Sequence, residues 1–506
     1  MAFLPSSGSL TIDNPLDAFG LVLTGTPIQV IDMSFPYGFN PQIHVEQVKN
    51  GGAVSYSPPF CTIHANANGD FAMMRSVKRV RHNPGLAVKF AFTSVFTAGE
   101  AGTTQYVGMG DQNDGLFFGY NGTTFGVLRR DAGLSHVQRI TISGTMGDTN
   151  GVDVTLDSNT VNIQTTNGDA ADAVARTIAN ATQTFMDLGE GWTVSALNTT
   201  LTFVSTTDGA KNGNYFINGT GLTVDSNVTS VFGVTANETF TSQALWNVDP
   251  ADGSTTLPAL DWTKGNVFNI SYQWLGFGMI FFKVENPSTG KLTDVHRLQY
   301  AGSATTTSIA APNQPYAAIV TRTSAASPVS IQIPSAGAFV SGEFNRNFGP
   351  RYGVSSNYDG TIGTSHIHLL SIFNDLAYNS VATLNRSELR LLSITLFAGV
   401  STSTKEHATF TILRNAQQTL TPSSILWQPV NAYSLAQYNN TNNGLVSGTG
   451  LEIAEFVLAF QSDTYIDGTS LDIIVPPGDT VSIYVRASGS VSSSTAAVGV
   501  SWVERT

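Results

Sequence analysis

The sequence predicts a mainly β, multidomain β-sandwich (jelly-roll) protein with one small α+β domain inserted into it. Three observations carry this. Charged residues are 12% of the chain, and 48 of its 506 residues are Gly, so Ser, Thr, Asn and Gly fill positions where helical enzymes carry Glu and Lys. Apolar residues alternate with polar ones in short runs bounded by Gly, Pro and Asn, the period of half-buried strands. Helical spacing is convincing only from Asp169 to Asn180.

A chain of 506 residues exceeds one ordinary core, so two to four domains are expected. Residues 1–60 read as short strands at 21–23, 28–33 and 43–48, either an N-terminal arm or a set of edge strands. Residues 61–135 and 241–385 read as the two halves of one jelly roll. Its first half holds an apolar strand at 87–96 and hairpin strands at 116–120 and 125–129, with Asp114-Gly115 and Asn121-Gly122 as turn signals. Asp111, Asn113 and Asp114 read as a turn that satisfies its own backbone, because the spaced ligands and closing Glu of a Ca²⁺ loop are missing.

Residues 136–240 read as the inserted α+β module. Strands at 139–143, 152–156 and 160–165 precede an Ala-rich helix with Asp169 and Asp172 near its N-terminus and Val174 and Ile178 on one face. A hairpin at 192–196 and 201–205 follows. Residues 266–300 then form a three-strand meander. Phe268, Ile270, Tyr272 and Trp274 share one face, 275–278 bends, and Asn286-Pro287-Ser288-Thr289-Gly290 turns. The nearly all-apolar run 279–284 suggests burial on both faces. More strands are expected at 321–340 and 352–373, and 384–392 reads as a linker or a last strand. Residues 386–506 form a second β-sandwich.

The net charge of −12 and pI near 5.0 argue against general nucleic-acid binding, which needs a basic field. Cys61, the only cysteine, allows no intrachain disulfide. Its setting, Pro58 to His64, reads as a strand entering a core, where a thiol acts as a small hydrophobe. The first twenty residues lack a basic n-region and a long apolar run, so synthesis without a secretion signal is expected. No run of about 18 apolar residues suggests a membrane span. Phosphate loops, dinucleotide fingerprints, HExxH and nucleophile elbows are absent, so the chain reads as no enzyme and no cofactor is expected.

Three residue groups are site candidates. His366 and His368 leave one face of a strand, and two imidazoles from each of three chains would surround a transition metal on a three-fold axis; the alternative is a pair of surface or interface histidines. Trp246, Trp262, Trp274, Tyr316 and Tyr352 are candidates for a sugar platform or a subunit interface. Arg75, Lys78, Arg79 and Arg81 form the one dense basic patch, with Arg75, Arg79 and Arg81 on one strand face and Lys78 on the other. It reads as a contact for an acidic surface or phosphate, or as a salt-bridged polar sheet face.

The segments DGLFFGYNGTTFGVLRR and NISYQWLGFGMIFFKVENPSTGKLTDVHRLQY resemble paired sheets of a concanavalin-like or laminin-G-like jelly roll. They also resemble virion structural proteins of large DNA viruses and tailed phages, across roughly residues 70–135 and 240–320. The 136–240 module is similar to small domains that decorate phage structural proteins. The resemblance implies a capsid-associated, fibre or spike component. Such a protein is made in the host cytoplasm, located in the virion, and partnered by copies of itself (a trimer in fibres) and by other capsid or tail proteins. The alternative is a receptor- or glycan-binding adhesin whose C-terminal sandwich attaches to host glycan. A polysaccharide-degrading enzyme would need two carboxylates facing one groove.

Overall fold

A computed structural model describes residues 27–505, apart from 198, 325–326, 342–348, 379–382, 401–405, 416–417, 420–426, 432, 442–444 and 447–449. The expected 21–23 strand lies outside the described residues. Strands make up about 58% of the described residues and helices about 5%, which is the mainly β class expected. The chain divides into two units. The first comprises 1–47, 51–131 and 238–344, and the second 48–50, 132–237 and 345–506.

The first unit is built on two antiparallel sheets. One runs in the order Lys291–Leu298, Ile280–Asn286, Asn266–Tyr272, Val88–Phe96, Val329–Ile333, Phe60–Ala65 and Ala53–Ser57, with Ser335–Val340 beside Val88–Phe96 and Ile28–Ser34 beside Ser335–Val340. The other runs Asn237–Ser242, Thr124–Asp131, Gly115–Asn121, Thr103–Gly110, Gln314–Arg322, Phe71–Val80 and His44–Lys49. Their inner faces meet through aromatic rings. Phe118 lies 4.8 Å from Phe268 and 5.3 Å from Phe282, and Trp262 stacks on Phe125 at 4.2 Å. The strands Ile28–Ser34, His44–Lys49 and Ala53–Ser57 are therefore edge strands of these sheets, the second of the two readings of this region.

The 266–300 meander forms as three successive antiparallel strands. Its bend is forced at Gly278, where a Cβ would come within 1.6 Å of the Gln273 carbonyl. Its turn closes through Gly290, at φ 68°, whose N–H donates to Asn286 O at 2.8 Å. The expected two-faced burial of 279–284 does not occur. Ile280, Phe282 and Val284 are buried, while Phe281 is half-buried beneath Lys283 and Arg297, whose charged groups stand 5.2 and 5.5 Å from its ring. Cations over a ring shield an outward aromatic, which an apolar run alone cannot reveal.

Cys61 is fully buried on Phe60–Ala65, and burial pushes its thiol pKa up to about 12. The thiolate is the reactive form. The folded protein is therefore expected to resist alkylation by iodoacetamide at pH 8 and to take one equivalent when unfolded in guanidinium. Rapid labelling of the native protein would contradict this placement.

The chain leaves the first unit after Asp131 and re-enters it at Glu238. The two ends are neighbouring strands tied by an ion pair, Arg130 Nε to Glu238 Oε1 at 2.6 Å. Between them, a four-stranded and a three-stranded sheet enclose the helices Ala171–Asn180 and Thr182–Met186 around a core of Ile140, Val154, Val174, Ile178, Trp192 and Phe203. Asp172 sits in the first turn and binds Arg176 one turn on, at 2.6 Å.

The rest of the second unit is a sandwich of a five-stranded and an eight-stranded sheet. Its boundary at 386 has to move. Arg351–Ile362 pairs along its length with Val491–Arg505, and Ile367–Asn374 pairs with Thr480–Ala487. Residues 351–374 thus belong to the C-terminal sandwich, and 384–392 contains the start of the central strand Glu388–Val400. The pairings span more than a hundred residues, so local pattern does not show them. Residues 471–475 give the end of a short helix, Gly468–Leu471, and a two-residue strand.

Candidate ligand groove on the C-terminal sandwich

Four strands of the five-stranded sheet lie side by side: Arg351–Ile362, Val491–Arg505, Glu388–Val400 and Ser462–Asp467. Their inward residues, among them Ile394, Leu396, Val498, Val500 and Trp502, fill the core. Alternation then turns their partners outward, and the register sets those partners in rows. One row reads Gly353, Ser501, Ser393, Asp467. The next reads Ser355, Gly499, Thr395, Tyr465, and the third Asn357, Ala497, Phe397, Asp463.

The first three residues of the first two rows, with Val354, Val430, Tyr438 and Val500, line an open groove of about 630 Å³. Hydroxyl groups and glycines make its floor. Ser393 Oγ and Ser501 Oγ are 2.5 Å apart, and Thr395 Oγ1 donates to Gly499 O at 3.3 Å. Gly499 keeps the floor low, since a Cβ there would sit 2.6 Å from Thr395 Oγ1. Tyr465, 66% exposed, stands directly across from Thr395, and Phe397, 41% exposed, is its diagonal neighbour. Cross-strand partners have Cβ atoms about 5 Å apart, so the Tyr465 ring borders the floor, whereas the outer edge of the Phe397 ring lies over Gly399, where a Cβ would come within 2.9 Å of it, on the side away from Thr395.

None of the expected aromatic platform residues contributes a ring there. Trp246, Trp262 and Tyr316 are buried in the first unit, and the Trp262 indole N–H donates to Gln243 Oε1 at 2.8 Å. Trp274 is half-buried, its indole N–H bonded to Ile309 O at 2.9 Å and its ring edge-on to His82. Tyr352 is half-buried against the core with its ring 6.3 Å from Trp502. Their size and apolarity placed them in cores, where ring area is most stabilising.

The basic patch is likewise no open surface. Arg75, Lys78, Arg79 and Arg81 are all half-buried, and Arg79 pairs with Asp111 at 3.2 Å. The expected split, with three arginines on one face and Lys78 on the other, fails because Ser76 to Lys78 bulge out against the single residue Tyr316. A bulge shifts the alternation that a flat strand would keep. Asp111 accepts from the N–H groups of Asn113 and Asp114 at 2.9 and 3.2 Å, the self-satisfied turn expected.

His366 and His368 do not form an outward metal pair. His368 is fully buried. Its Nδ1–H donates to Thr441 O at 2.8 Å and its Nε2 accepts from Ser371 Oγ at 2.8 Å, leaving no free lone pair. His366 is half-buried, 3.2 Å from Thr411 Oγ1. Among the described residues no three His, Cys, Asp or Glu are grouped to hold a metal.

Burial holds the His368 ring at a pKa of about 4, and His44 likewise, against an ordinary value of 6.5. Each stays neutral when folded and takes up a proton when unfolded below pH 6.5. Their stabilisation is complete above pH 6.5 and is lost as pH falls toward about 4. The denaturation midpoint should drop across that window, and His368→Gln should flatten the drop. An unchanged slope in the variant would contradict the assignment.

The groove residues escaped sequence reading because each segment contributes only one residue to each row. The available signal was the strict alternation Ser462-Asp463-Thr464-Tyr465-Ile466-Asp467, with an outward Tyr between two Asp. Among the described residues, no helix is long and apolar enough to cross a membrane. No family model and no curated protein matches the chain. Solved structures show loose similarity. The CBM2 module of the evolved Dit of Lactobacillus casei BL23 phage J-1 has 8% identity and a TM-score of 0.28, covering 63% of this chain and 100% of that one. The exoplasmic/lumenal domain of VIP36, bound to Ca²⁺ and Man3GlcNAc, has 10% identity and a TM-score of 0.25, covering 64% and 93%. A legume lectin-like domain from Entamoeba histolytica has 10% identity and a TM-score of 0.22, covering 62% and 98%. Likeness of this degree decides neither topology nor ligand.

Proposed function

We propose that this chain is a display protein that binds carbohydrate through the groove of its C-terminal sandwich. The observation that carries this is the pair of outward rows, hydroxyls and glycines ending at the exposed ring of Tyr465. Each Ser or Thr hydroxyl offers one donor and two acceptor positions, matching the alternating roles of sugar hydroxyls. The exposed ring of Tyr465 suits the apolar C–H face of a pyranose.

Binding is favoured over cleavage by geometry. The groove is lined by no Asp or Glu. The bordering carboxylates, Asp463 and Asp467, lie four residues apart on one strand, a separation of about 13 Å at the usual rise. Hydrolytic carboxylate pairs stand roughly 5–10 Å apart. The resemblance of 70–135 and 240–320 to virion proteins supplies the setting: a capsid-associated, fibre or spike component that assembles with copies of itself.

The test is a glycan array probed with the full chain and with Thr395→Arg, which fills the floor. Binding by the first and none by the second is expected. A blank array with the folded full chain removes the reading. A stable trimer by native mass spectrometry supports the fibre or spike setting, and a monomer opposes it.

A further inference from the structure

The groove has an electrically asymmetric border. Asp467 is the cross-strand partner of Ser393, which lines the floor, and Asp463 is the partner of Phe397 one row beyond Tyr465. Asp359, paired across to Thr495, is outward too but lies on the opposite edge strand Arg351–Ile362 and adds nothing to the Tyr465 end. Two arginines lie on the same side of the sheet. Arg390 is buried and paired with Asp472 at 3.0 Å. Arg351 is exposed but belongs to the opposite edge strand from Asp467, about 14 Å away across three strand spacings. The end where Tyr465 stands is therefore negative.

We propose that this border makes the groove select uncharged saccharides and reject sialylated, uronic or sulfated ones, with Asp467 as the main specificity-determining residue. The proposal rests on the carbohydrate reading above. A ligand ring laid over Thr395 and against Tyr465 has Asp467 one row to one side and Asp463 one row to the other. An anionic substituent on it stands about 7 Å from a like charge on either side. Repulsion from one such charge weakens binding by about threefold in a water-like medium and by about fiftyfold in a half-desolvated one, and the second charge adds to it. Asp467 is ionised over the working range, since the Thr469 hydroxyl and N–H donate to its carboxylate and hold its pKa below the ordinary value, with a lesser pull from the Arg390 charge, which Asp472 balances.

Asp467→Asn is a clean probe. Asp467 caps the short helix Gly468–Leu471, accepting from Thr469 N at 2.9 Å, and Asn caps a helix as well as Asp does. The experiment is an array on which each neutral oligosaccharide is printed beside its sialylated and sulfated derivatives, probed with the full chain and with the variant Asp463→Asn, Asp467→Asn. Neutral members are expected to exceed their acidic partners by about threefold to fiftyfold at low salt, and the gap to shrink in the variant and at high ionic strength. Equal or stronger binding of acidic members by the unaltered chain overturns the selectivity and leaves the carbohydrate reading standing. A gap that the variant leaves unchanged also overturns it. Absence of binding to every printed glycan removes both.

Discussion

Replacing Tyr465 by Ala in the full chain is expected to weaken glycan binding about tenfold or more while leaving the unfolding midpoint nearly unmoved. Two facts set this combination. The ring is 66% exposed, so its loss leaves no cavity, and surface changes of this kind usually shift stability by about 0.5 kcal/mol or less. The same ring stands at the end of the Ser355, Gly499, Thr395 row. Aromatic contacts at the centre of a binding surface commonly contribute about 2 kcal/mol or more, and 1.4 kcal/mol is a factor of ten in affinity. Phe397→Ala should change affinity little, because its ring is one row further away and leans over Gly399, away from the floor. Titration calorimetry and a thermal melt on each variant check both halves. Unchanged affinity with Tyr465→Ala would place the ligand elsewhere.

The largest stability effect is expected at Phe118→Ala, a loss of about 3–5 kcal/mol in the first unit. Phe118 is fully buried, and rings of Phe92, Trp246, Phe268 and Phe282 surround it at 4.8–6.4 Å. No neighbouring backbone can close so large a gap, because both sheets are fixed by their ladders. Guanidinium unfolding followed by tryptophan fluorescence reports it, since Trp246 and Trp262 lie in the same cluster. A shift below 1 kcal/mol would mean that the two inner faces do not meet at Phe118.

The fold class was legible because its signals are local. Alternation in the Val88 strand, the Asn121-Gly122 turn and the 266–300 meander each lie within a few residues of one another and needed no distant partner. The helix at 171–180 was legible for the same reason. Domain edges were less so. Arg351–Ile362 looks like a continuation of the preceding strands until its partner, some 140 residues later, is known. The site was least legible. Large aromatics such as Trp262 and Tyr316 attract attention in a sequence, yet size favours burial, and both are core residues. The groove's floor is made of small side chains that look ordinary singly, and their rows exist only through the register of neighbouring strands. The basic run misled in another way, since a bulge opposite Tyr316 turns its residues out of strict alternation.

The most direct measurement is a crystal structure of the full chain soaked with the neutral oligosaccharide that binds most tightly on the array. Sugar is expected over Ser393, Thr395, Gly499 and Ser501, with a pyranose face against Tyr465. Sugar bound at another face, or an empty groove at saturating ligand, would contradict it.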